Sequence, residues 1–182
     1  MGFRLNSEKN PGAYNKLVYP KGGYILHMLR SLMWDQQTGD DRFIAMMREF
    51  VQTNLYKSAS TASFQAMVEK HMTPAMNLGG NRKMDWFFQQ WAFGTDVLHY
   101  KLEYDVVPGQ GQNVQLKATI TQSGVGEGFR MAVPIYADFD GPQVRLGTAP
   151  LVGNTSLKID IPLPKKPRKV MINANFDVLA YK

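Results

Sequence analysis

The chain has 182 residues, 44% of them hydrophobic, with no cysteine and a formal net charge of +6 at pH 7. That length suits one or two domains burying roughly 70% of the unfolded surface, and the lack of cysteine excludes disulfides and thiolate metal sites. The basic excess raises nucleic-acid binding as a question that its distribution must decide. No run reaches the roughly 18 apolar residues of a membrane span, and Met1-Gly2-Phe3-Arg4 is not followed by the apolar stretch of a signal peptide.

Residues 1–18 are polar and turn-rich, with Asn10-Pro11-Gly12 as a loop. Pro20 then marks the first position of a helix from about Tyr19 to Trp34, because its fixed φ suits that position and its missing N–H has no partner there. Tyr24, Ile25, Met28, Leu29, Leu32 and Met33 give this helix one apolar face, and Gly22-Gly23 leaves room for another backbone at its first turn. Tyr19 sits at the lip, where a phenol could point into a cleft. A second helix is capped by Asp40 or Asp41 and carries Phe43, Met46, Met47, Phe50, Val51 and Leu55 on one face. A third is capped by Ser60 or Thr61, carries Phe64, Met67 and Val68 with Met72 as a further candidate, and stops at Pro74. A fourth, Met84 to Phe93, is apolar nearly all round and is expected to be the element on which the others pack.

Beyond Gly94 the apolar period falls from near four to two. Tyr100 to Val106, Val114 to Ile120 and Phe129 to Ile135 alternate cleanly, with Pro108–Gly111 and Gly124–Gly128 as turns, and Val144, Leu157 and Val170 begin shorter runs. Six or seven strands with polar outward positions predict a small antiparallel β-sandwich. The fold class is therefore α+β, with a helical lobe over residues 1–97 and the sandwich over residues 98–182.

Few residues offer chemistry on type and spacing alone. His27, His71 and His99 have neither a second histidine four residues away nor a carboxylate arranged for zinc, so they read as structural. Asp138-Phe139-Asp140-Gly141 lacks the remaining ligands of a calcium loop and reads as a hairpin turn. Asp40-Asp41 reads as a helix cap and dipole complement rather than an acid–base pair. The basic run Pro164-Lys165-Lys166-Pro167-Arg168-Lys169 lies between two alternating runs and reads as a charged connection between strands, without the interleaved aromatics of single-strand binding. By residue type Tyr19 is a half-buried anchor, and Lys21 a solvent-facing or structural residue of the helix start.

Val18-Tyr19-x-Lys21-Gly22 followed by an apolar helix with Met28-Leu29-Arg30 resembles the segment of M1-family zinc aminopeptidases that carries their catalytic tyrosine. Asp40-x-x-Phe43 leading to Arg48-x-Phe50, Thr61-x-x-Phe64, and Trp86-Phe87-Phe88-x-Gln90-Trp91 with Gly94 behind it resemble later helices of that catalytic domain in the same order. Gly2-x-Arg4-Leu5 is similar to the approach to the tyrosine in some bacterial members, so the resemblance spans essentially the whole chain. Gly23 stands where the family usually has alanine, and Leu98 where a proline often follows Gly-Thr. The family's His-Glu-x-x-His helix, its later glutamate and its Gly-x-Met-Glu-Asn loop do not occur.

The resemblance implies the C-terminal part of an aminopeptidase: the end of a thermolysin-like catalytic domain followed by the sandwich, inactive alone, with zinc and the peptide substrate held by an upstream segment. It assigns Tyr19 as the catalytic residue of this part, its hydroxyl donating to the oxyanion of the tetrahedral intermediate. A phenol serves because it is a neutral donor at working pH whose bond strengthens as charge develops. The alternative is a non-catalytic peptide- or protein-binding module derived from the same fold. Neither reading involves nucleic acid or a membrane span.

Overall fold

The computed structural model describes residues 17–181, which form two compact units that divide between Thr95 and Asp96. The loop expected at Asn10–Gly12 and the approach at Gly2–Leu5 lie outside the described residues. The architecture is mixed α+β, as the change of period predicts: helices in the first unit and two mostly antiparallel sheets in the second.

Among the described residues the helical unit opens with a π turn, Leu17–Lys21, that runs into α1, Gly22–Met33. Pro20 thus lies inside the π turn rather than at the first position of the α-helix. The first turn tolerates it, because amides there have no acceptor one turn back. α2 spans Asp41–Thr53 and α3 spans Thr61–Lys70. α3 starts on a reciprocal cap: the Ser60 hydroxyl accepts from Ser63 N–H at 3.1 Å, and the Ser63 hydroxyl accepts from Ser60 N–H at 2.9 Å. α3 ends at Lys70 with His71 as its C-cap, before the proline expected to stop it, and Pro74 opens a separate 3₁₀ turn, Pro74–Met76.

Two expectations for this unit are corrected. The predicted fourth helix is a single α-turn, α4 (Asp85–Phe88), passing into a π turn, Gln89–Phe93. That widening leaves Trp91 buried but turns Phe93 outward, 63% exposed, so the element is not apolar-packed all round. On α2, Met46 is fully buried, whereas Val51 in its last turn and Leu55 just beyond it are exposed.

The core of the unit is rich in methionine. Met28, Met33, Met46, Met67, Met76 and Met84 are buried around Leu29, Val68, Phe87, Phe88 and Trp91. Unbranched thioethers fill the irregular gaps that short, broken helices leave. Phe64 meets Phe50 and Phe88 edge-on, at 4.9 and 6.2 Å between centroids.

The second unit has seven strands: β1 (Leu98–Pro108), β2 (Val114–Ser123), β3 (Arg130–Asp138), β4 (Val144–Val152), β5 (Thr155–Leu163), β6 (Lys169–Ile172) and β7 (Ala180–Tyr181). They form two open sheets, of order β5-β2-β1-β7 and β4-β3-β6. All pairings are antiparallel except β7 with β1, a two-residue parallel match of Leu98 with Ala180 and His99 with Tyr181. Leu116, Ala118 and Ile120 form the buried row of β2, whereas β3 is buried at every position from Met131 to Asp138 and so lacks the polar outward positions that alternation predicts. The Tyr104 hydroxyl accepts from Val170 N–H at 3.3 Å and so links β1 to β6.

Candidate functional site

Tyr19 stands on the π turn at the head of α1, 66% exposed, between the exposed Val18 and Pro20. The same helix is anchored further on, where Met28, Leu29, Ser31, Leu32 and Met33 are all buried. An anchored helix therefore presents a largely exposed phenol at its N-terminal end. The half-buried anchor that residue type suggests is corrected, because no packing surface covers most of the ring.

Beside it, the half-buried Lys21 donates from Nζ to the carbonyl oxygen of Gly94, 3.0 Å away. The electrostatics explain why. The first turn of α1 has no acidic residue to complement the positive end of the helix, and a cation there is unfavourable. Gly94 caps the C-terminal end of the Gln89–Phe93 turn, where carbonyls lack intrahelical partners and cations are favoured. The ammonium thus leaves the wrong end of its own helix for the right end of another.

Gly22 and Gly23 require a correction. A Cβ built on either would meet nothing within 4 Å, so no backbone of the described residues packs against them. Among the described residues they leave open space next to the Tyr19 turn. Gly94 is the reverse case, since a Cβ there would overlap the carbonyl oxygen of Gln90 and lie 3.1 Å from that of Gln89.

The histidines are dispersed. His27 meets the Tyr24 ring edge-on at 6.1 Å, His71 Nε2 lies 2.7 Å from Glu49 Oε2, and the His99 ring stacks on Tyr181 at 4.9 Å. Lys70 also pairs with Glu49, and hydrogen bonds from Lys70 and His71 hold that carboxyl below its usual range. Asp40 makes no side-chain cap to α2 and instead accepts from Arg30 at 2.5 Å. Among the described residues no group of three or more His, Cys, Asp or Glu is gathered as a metal site.

In the second unit Asp138 closes β3 and accepts from Arg168 Nε at 3.0 Å, from Arg168 Nη2, and from Asp140 N–H at 2.9 Å. Asp140 is left-handed at φ 68°, as a tight β3–β4 turn requires. The arginine of the basic connection is thus spent on a carboxylate of its own fold. On the outer face of β1, β2 and β5, a groove of about 370 Å³ is lined by Asp105, Lys117, Lys158 and Asp160. Asp105, Lys117 and Asp160 are successive partners across the three strands, so their charges oppose one another and the groove offers no single-signed field.

One cluster has no signal in the sequence. The Tyr136 hydroxyl donates to Asp177 Oδ1 at 2.9 Å, joining β3 to the segment between β6 and β7. Burial and the negative Asp177 push the Tyr136 phenol up to about 12. Asp177 is buried, and its segment is closed by Asn173, which donates to the Val178 carbonyl and accepts from Val178 N–H, both at 2.8 Å. The contacts serve to pin a loop; Tyr136 is covered and cannot meet a ligand.

Of the positions singled out from sequence, the structure brings together Tyr19 and Lys21 and leaves the histidines and acidic pairs in separate structural contacts. The Gly94 carbonyl is the participant that sequence reasoning did not reach; its signal was a glycine directly after a helical aromatic run. No family model, no curated protein and no solved structure matches this chain.

Proposed function

We propose that this chain is the C-terminal part of an M1-type zinc aminopeptidase, its first unit the end of a thermolysin-like catalytic domain and Tyr19 a donor to the reaction's oxyanion. The observation that carries the reading is the exposure of Tyr19 at the head of an anchored helix. The order of Val18-Tyr19-x-Lys21-Gly22 and the later aromatic motifs supports it. The described residues gather no metal-ligand group, and this reading puts the zinc ligands in an upstream segment, so nothing is assigned to zinc here. What this chain contributes is a positioned O–H. As the carbonyl carbon of a bound peptide becomes tetrahedral, its oxygen gains charge and the hydrogen bond from Tyr19 strengthens, favouring the transition state over the bound substrate.

The second reading, a non-catalytic peptide- or protein-binding module, is favoured by the exposed apolar side chains Ile44, Val51, Leu55 and Tyr56 on and just after α2. Tyr19→Phe in the longer protein separates the two. On the peptidase reading it lowers kcat by about a hundred- to a thousand-fold, roughly 3 to 4 kcal/mol, at little-changed KM. Tyr24→Phe, one turn along α1, leaves kcat nearly unaltered. Full turnover in Tyr19→Phe, with the fold intact by circular dichroism, sinks the peptidase reading.

A further inference from the structure

We infer that Lys21 is a positioning residue for Tyr19, acting through its hydrogen bond to the Gly94 carbonyl; the inference rests on the reading of Tyr19 as the oxyanion donor. Tyr19 and Lys21 belong to one five-residue π turn, Leu17–Lys21, so a tether at Lys21 restrains the backbone that carries the phenol. The turn lies at the surface. Val18, Tyr19 and Pro20 are exposed, and Gly22 and Gly23 follow with open space around their α-carbons. A glycine pair, with no backbone of the described residues against it, gives the turn freedom to swing relative to the buried half of α1.

The Lys21–Gly94 bond opposes that swing by crossing 73 residues of sequence to the last turn of the aromatic segment. Its anchor is firm. Trp91 is buried, and Gly94 sits so close to the Gln90 carbonyl that an added Cβ would force the backbone to shift. The bond joins a cation to a carbonyl at a helix C-terminus, the stronger kind of hydrogen bond in a favourable field. An oxyanion donor needs placement within a fraction of an ångström, so a support of this kind acts on rate rather than on substrate binding.

The test has two arms. In the chain itself, Lys21→Met removes the donor while keeping much of the stem; its Tyr19 ring signals in NMR should shift and the amides of residues 22–24 should exchange about tenfold faster. Lys21→Arg should restore both, and the Trp86 and Trp91 indole signals should stay in place, showing that the fold persists. In the longer peptidase, Lys21→Met should lower kcat about ten- to a hundred-fold at constant KM. Added to Tyr19→Phe it should cost nothing further, because it acts through the hydroxyl already removed. Unmoved Tyr19 signals in Lys21→Met, or losses that multiply in the double variant, overturn the inference even if Tyr19→Phe alone is severe. A harmless Tyr19→Phe instead defeats the oxyanion reading, and the ring signals still decide whether Lys21 holds the turn.

Discussion

Gly94 shows how much one position can carry without any side chain. Its backbone is in an ordinary region, at φ −78°, so the need for glycine here is spatial, not conformational. A methyl group would collide with the Gln90 carbonyl, which belongs to the preceding turn and cannot yield without unwinding it. Gly94→Ala should therefore destabilise the helical unit by about 1 to 3 kcal/mol, the usual cost of overpacking, read as a lower denaturation midpoint by tryptophan fluorescence. It should also displace the acceptor of Lys21. Tyr19 lies at the other extreme: it is so exposed that its removal should leave the midpoint unchanged, and residue type alone does not distinguish these two situations.

At the scale of elements, legibility followed locality. The strands β1 to β6 were readable because alternation is a local signal, bounded by Pro108–Gly111, Gly124–Gly128 and Asp140–Gly141. β7 was not, since two residues paired in parallel have no periodicity to detect. The apolar stripe of α2 was readable as a stripe, but Val51 and Leu55 show that periodicity cannot say where a covering partner ends. The Trp86-Phe87-Phe88 run was readable as helical, whereas its passage into a π turn at Gln89–Phe93 has no periodic signal in the sequence. For the candidate site, sequence pointed to Tyr19 through resemblance and missed its support, because a hydrogen bond spanning 73 residues leaves no local trace. The connection between β5 and β6 yields a prediction of its own. The Arg168 hydrogen bond, then the Asp140 amide, hold the Asp138 carboxyl below its ordinary value. A carboxyl with a depressed folded value stabilises fully above its unfolded value, about 3.9, and loses that contribution as pH falls through the lower folded value. Amides of residues 165–169 should lose exchange protection in that acid window, and Arg168→Met should show the same loss already at neutral pH.

At the scale of the molecule, the two units meet in sequence at Thr95, Asp96 and Val97, all exposed. Limited proteolysis should cut there before elsewhere and release a C-terminal piece, beginning near Asp96, that keeps its β circular dichroism. Absence of a preferred cut would mean that the units unfold as one body. The methionine core of the first unit carries a different consequence. Met28, Met33, Met46, Met76 and Met84 have no accessible surface, so peroxide can reach their sulfurs only when the helices part. Each conversion to sulfoxide puts a polar group where an apolar one was packed and makes the next parting easier. Oxidative damage in this unit is therefore self-accelerating, and its onset records how often the helices open long before any loss of helix is visible.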